Sequence, residues 1–148
     1  MKGWAIQKAA DLLREKGFRS FYIDAGGDVQ VYGKNSLEKP WRIGIRNPFD
    51  AKQFVKVVTI ADKGIATSGT YERGAHVYDP VTKKKLDEIV SLTVIGSNVY
   101  EADRFATAAF AMGRKGIEFI EQLAGFEAYQ IDKNGQAAYT SGFENYVL

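Results

Sequence analysis

The apolar pattern opens on a helix and then changes period. In "KGWAIQKAADLLREKG", Trp4, Ala5, Ala9, Leu12 and Leu13 recur at helical spacing, which predicts an amphipathic helix packed through that stripe and ended by Gly17. "FRSFYID" alternates Phe18, Ser20 and Tyr22 against Arg19, Phe21 and Ile23, the period of a strand. "AGGD" interrupts it and "VQVYG" resumes it, so the glycines belong to a hairpin or a bulged strand. "WRIGIRNP" and "FVKVVTIAD" read as strands about a turn at Asn47-Pro48. Segment 64–80 is turn-rich, with short extended pieces. "IVSLTVIG" is a continuous apolar run of strand length, which predicts a buried central strand. "VYEADRFATAAFAMG" returns to the helical period, with Ala102, Ala106, Ala109 and Phe110 on one stripe, and "RKGIEFIEQLAG" predicts a further helix. "FEAYQID" and "AAYTSGF" close the chain about an Asn134-Gly135 hairpin turn. This order predicts an α+β fold, a mixed or antiparallel sheet covered by helices on one side. With no repeat and no linker, residues 1–148 are expected to form one domain.

Composition narrows the chemistry. An apolar content of 45% over 148 residues is enough for a sizeable core. Net charge is only +2 and the basic residues are scattered, so nothing calls for nucleic acid or an acidic membrane face; Lys83-Lys84-Lys85 reads as a solvated loop. The absence of cysteine excludes disulfides, thiolate nucleophiles and Cys-based zinc sites, so a metal would rest on oxygen ligands or on the single histidine, His76. No apolar run approaches the ~20 residues of a membrane helix, and the amphipathic pattern starts at once after Met1, unlike a signal peptide.

Three stretches carry candidate chemistry, each with a plainer alternative. "DAGGDVQ" sets Gly26 and Gly27 between strands, either to let backbone N–H groups approach a ligand or simply to turn the chain. "ATSGTY" clusters hydroxyls beside a glycine, suited to phosphate or ribose oxygens and equally to ordinary turns. In "EADRFATAAF", Asp103 and Thr107 lie four apart on a predicted helix, so they share a face and offer hard oxygen donors of the kind Mg²⁺ takes. Alternatively Asp103 caps the first turn and Thr107 bonds back to a carbonyl.

Taken in order, "KGWA", "DAGGDVQVYG", "ATSGTYER", "HVYDPVT" and "DRFATAAFAMG" resemble the flavin transferases of the ApbE type, which move FMN from FAD to a threonine or serine of a target protein. The resemblance runs from Lys2 to near the C-terminus. It implies that Asp103 and Thr107 hold a divalent metal, Mg²⁺, and that His76 and Asp79 belong to the active-site His…Asp-Pro motif. It also implies that Thr67, Ser68 and Gly69 lie against the flavin nucleotide, that Gly26 and Gly27 form the glycine pair of the FAD pocket, and that Lys2 and Gly3 open a helix beside it. His76 would then accept the target hydroxyl's proton or stabilise developing charge, or else bond Asp79 and fix its loop. The sequence departs from the family pattern at Asp24, where asparagine is usual, and at Lys83, where glycine is common. Family members usually carry a further N-terminal portion, so the resemblance covers roughly their second half. A homodimer or a complementing N-terminal chain is therefore expected as a partner, besides the flavin-accepting target protein.

Overall fold

In the computed structural model, residues 2–70, 81 and 88–148 are described. Helix α1 spans Lys2–Glu15. Strands β1 (Phe21–Ala25) and β2 (Asp28–Tyr32) form a hairpin, and β3 (Trp41–Asn47) and β4 (Asp50–Ile60) form a second one. Strands β5 (Gly64–Gly69) and β6 (Ile89–Gly96) follow, then helices α2 (Val99–Ala111) and α3 (Gly116–Glu121), and finally β7 (Glu127–Asp132) and β8 (Ala137–Tyr139). The main sheet has the order β1-β2-β5-β6-β7-β8, with every pair antiparallel; β3 and β4 pair separately. The α+β expectation therefore holds, with the sheet antiparallel throughout.

Strand alternation divides the interior into two cores on opposite faces of the main sheet. On one face Ala66, Leu92, Val94 and Ala128 meet Ala102, Ala106, Ala109 and Phe110 of α2 and Ile120 of α3. On the other, Val29, Val31, Ile65, Ile95 and Ile131 meet Ile45, Val58 and Ile60 of the β3–β4 hairpin, with Phe143 from a short C-terminal 3₁₀ turn. Helices thus cover one face, and the second hairpin covers the other. The alanine stripe read from the sequence is the buried stripe of α2, and "IVSLTVIG" is the central strand β6.

Three expectations change. Segment 64–80 begins not with turns but with a six-residue interior strand, β5, whose small residues are needed because α2 lies directly upon it. In α1 the buried residues are Gly3, Ile6 and Ala10, whereas Trp4 and Leu12 are 47% and 54% exposed. The helix is turned from the predicted stripe because only glycine at position 3 permits close approach to α2. The last helix is short, preceded by a 3₁₀ turn at Gly113–Lys115, and β8 has only three residues. Gly17, at φ 90°, ends α1 as expected.

The seating of α2 fixes much of this arrangement. A Cβ at Gly64 would lie 2.0 Å from the Val99 nitrogen and 2.3 Å from the Asn98 carbonyl carbon, both backbone atoms that cannot turn aside. Asn98 caps α2 by accepting from the Glu101 N–H, and the buried Gln30 of β2 accepts from the Val99 N–H at 2.8 Å. Gly64→Ala is therefore expected to cost about 1–3 kcal/mol, as overpacking does, read as a lower urea midpoint with an unchanged slope. An unaltered midpoint would show that α2 does not bear on β5 in this way.

Candidate functional site

The start of α1, the tip of the β1–β2 hairpin, the end of β5 and the middle of α2 converge on one side of the main sheet. Their meeting point is Asp28, the first residue of β2. Register between β2 and β5 is limited to Val29↔Ile65 and Gln30↔Gly64. One step further the Asp28 carboxylate replaces the strand as acceptor, taking the Thr67 N–H at 3.1 Å on Oδ1. Its Oδ2 pairs with the Lys2 ammonium at 3.1 Å, with the Asp28 side chain only 2% exposed. Lys2 also donates to the Gly26 carbonyl at 3.3 Å, tying α1 to the hairpin tip. Gly26 and Gly27, at φ 61° and 89°, occupy the left-handed region that a two-residue hairpin turn requires. The Gly27 N–H is taken by Asp24 Oδ1 at 3.0 Å.

Asp103 approaches from α2. Its Oδ2 accepts from the Gly3 N–H at 2.8 Å, so a carboxylate on one helix caps the positive end of another. A Cβ on Gly3 would fall 2.7 Å from Asp103 Cβ and 2.9 Å from Oδ2, which explains why glycine follows Lys2. Thr107 lies one turn further along α2, exposed, and its hydroxyl stands 3.4 Å from that of Ser68. Asp103, Thr107 and Ser68 thus bring a carboxylate and two hydroxyls to the same side as Lys2 and Asp28.

Burial pushes the Asp28 carboxyl above its ordinary value; Lys2 and the Thr67 N–H pull it down, and the charge of Asp103 pushes it up again. The negative charge of Asp103 bears on Asp28, and a divalent cation beside Asp103 would offset it. Among the described residues no group of three or more acidic, His or Cys side chains could hold a metal. The fit is instead to an ion that takes few protein ligands: Asp103 and Thr107 offer hard oxygen donors one turn apart, and Mg²⁺ commonly keeps its remaining positions for water and substrate phosphates.

Not every residue named from the sequence points into this cluster. Thr67 shares a side of β5 with Ile65, away from the helices, and its hydroxyl bonds Thr93 at 2.8 Å; only its N–H joins the cluster. Gly69 ends β5 opposite Ser91 and is buried. His76 and Asp79 lie outside the described residues. Asp28 is a site residue that local sequence pattern does not mark strongly; its signal is a carboxylate immediately after a glycine turn, at a strand position facing the core.

The chain is similar to known proteins over most of its length. Residues 1–130 match the model of the ApbE family. Among curated relatives, a FAD:protein FMN transferase of Vibrio cholerae is 31% identical over 156 residues, covering 99% of this chain and 45% of the relative. One from Escherichia coli is 32% identical over 149 residues, covering 94% of this chain and 42% of the relative. The fold is similar to the crystal structure of the ApbE protein of Thermotoga maritima, with a TM-score of 0.88 and 25% identity over 98% of this chain and 50% of that one. For the flavin transferase ApbE of Vibrio cholerae the TM-score is 0.83 at 29% identity, over the same shares. The chain spans about half the length of the relatives it matches.

The raised Asp28 carboxyl has a testable sign. Folded Asp28 keeps its proton to higher pH than the unfolded chain does, so its contribution to stability is full below the ordinary value of 3.8 and is lost as pH rises through the folded value. Asp28→Asn keeps the acceptor for Thr67 and cannot ionise. Its stability relative to the unsubstituted protein is therefore expected to increase between about pH 3 and about pH 7, measured by urea unfolding. A difference that stays constant or falls across that range would contradict the assigned environment.

Proposed function

The chain belongs to the ApbE family, and from that premise we propose that it acts in Mg²⁺-dependent transfer of FMN from FAD to a threonine or serine of a target protein. The observation that carries this reading is the convergence of Lys2, the Thr67 N–H and Asp103 about the buried Asp28, with Ser68 and Thr107 beside them. Such a cluster suits a pyrophosphate. The Lys2 ammonium attracts the anion, and the Asp103–Thr107 pair would supply oxygen ligands for its counter-ion.

In this reading Lys2 and the Gly26-Gly27 turn hold the phosphates of FAD, Ser68 orients them, and Asp103 and Thr107 hold Mg²⁺. When bound, Mg²⁺ would neutralise pyrophosphate charge and polarise the phosphorus of the FMN half. The target hydroxyl oxygen bonds to that phosphorus, the bridging P–O bond breaks, AMP leaves, and the hydroxyl's proton passes to a base. His76, with Asp79 to fix its loop, is the proposed proton acceptor. Asp28 holds Lys2 and β5 in register without touching the reacting atoms.

A second reading rests on the apolar surface that Trp4 and Leu12 expose on the outer side of α1. There the chain binds flavin nucleotide and metal without transferring FMN by itself, and this surface of α1 contacts a partner protein.

Two measurements test the proposal. With FAD, Mg²⁺ and a flavin-accepting protein, covalent flavin fluorescence should follow the acceptor on a denaturing gel, and His76→Ala should lower its rate by roughly 10²- to 10⁴-fold with little change in FAD binding. Absence of transfer together with FAD binding would favour the second reading. In calorimetry Asp103→Ala should abolish Mg²⁺-dependent FAD binding, whereas Thr107→Ser should largely keep it. Equal affinity of Asp103→Ala and the unsubstituted protein would remove the metal assignment.

A further inference from the structure

A groove of about 350 Å³ runs between the β1–β2 hairpin and β3 on the face of the sheet opposite the Asp28 cluster. Register fixes its side. Tyr22 and Asp24 pair with Val31 and Val29, which face the β3–β4 hairpin, whereas Ala25 pairs with Asp28, which faces the helices. The two sites meet only at the glycine turn: Gly27 lines the groove, and the Gly26 carbonyl takes the Lys2 ammonium.

The groove's chemistry is aromatic and cationic. Tyr22 meets Trp41 edge to face with ring centroids 5.2 Å apart. The Phe54 ring lies so closely over Gly44 that a Cβ there would be 2.5 Å from it, which gives a flat apolar floor. Tyr22 and Phe54 are 57% and 60% exposed. Arg42 and Arg46 lie four apart on β3, both exposed, and neither makes an ion pair among the described residues. Asp24, the one carboxylate in the lining, accepts the Gly27 N–H. Among the described residues, strands β1 and β3 each pair on one side only.

We propose that this groove docks the acceptor, as an extended acidic segment of the flavin-accepting protein. Its carboxylates pair with Arg42 and Arg46, its side chains lie on Tyr22, Trp41 and Phe54, and its hydroxyl reaches over Gly26-Gly27 to the phosphate-binding face. This rests on the transferase reading, which requires a protein hydroxyl to arrive beside a dinucleotide that already occupies the other face. Charge complementarity selects the occupant, because two unpaired guanidiniums favour carboxylates and disfavour a basic segment. The volume, at the lower end of small-molecule pockets, suits a few side chains better than a whole dinucleotide.

The test uses a short fluorescein-labelled peptide of valine and threonine with glutamates flanking a central threonine, and the same peptide with lysines in their place. Fluorescence anisotropy should show binding of the acidic peptide alone, weakened by added salt and by at least about tenfold in Arg42→Glu or Arg46→Glu. Mg²⁺-FAD binding by both variants, read from flavin fluorescence, should stay within about twofold of the unsubstituted protein. Peptide binding without FAD binding would leave the groove assigned and sink the transferase reading, so the two fail separately. The groove proposal is overturned by equal binding of both peptides, by no binding at about 1 mM peptide, by full affinity in both variants, or by displacement of the peptide with Mg²⁺-FAD.

Discussion

The contact on which the others depend is that of Asp28 with Lys2 and the Thr67 N–H, made where β2 stops pairing with β5. A buried carboxylate without partners would be strongly unfavourable, and so would a strand N–H left unpaired. Each need is met by the other, and both require α1 to begin at Lys2 with its first turn against the sheet. Once Lys2 is placed, Gly3 must pass close to α2, and its N–H reaches Asp103. One carboxylate therefore sets the positions of the first helix, the interior strand and, through Gly3, the acidic residue of the second long helix.

This construction follows the difference between the two faces of the main sheet. Toward the helices, β2 shows Asp28 and Gln30, which engage α1 and the N-terminus of α2. Toward the second hairpin it shows Val29 and Val31, which fill an apolar core. A strand with polar residues on one buried face costs stability unless helix ends and a lysine satisfy them. Asp28 lies in the cluster proposed to take the pyrophosphate, so the polar side of β2 is also the side of the proposed site.

Elements with strong period were legible in the sequence. The alanine stripe of α2, the apolar run of β6 and the Asn134-Gly135 turn are local patterns, and each folded as its residues indicated. Strand β5 was less legible because Gly64, Ala66 and Ser68 are small for reasons of contact with α2, and small residues also make turns. The facing of α1 was misread for a related cause: Trp4 and Leu12 dominate its apolar pattern, yet Gly3, Ile6 and Ala10 are the residues buried. That Asp103 and Thr107 share a face of α2 was legible from their i, i+4 spacing. The Asp28 clamp joins residues 2, 28 and 67, and no local pattern carries a contact over such separations.

Paramagnetic Mn²⁺ in place of Mg²⁺ would report whether the cluster beside Asp28 takes a metal-bound pyrophosphate, as proposed. In amide-resolved NMR spectra at low Mn²⁺ occupancy, adding the ion with FAD should bleach the amides of Gly3, Ser68, Asp103 and Thr107 first, and those of β8, three strands from β5, more weakly. Bleaching centred elsewhere on the surface, or none near Asp103 with FAD present, would contradict the account.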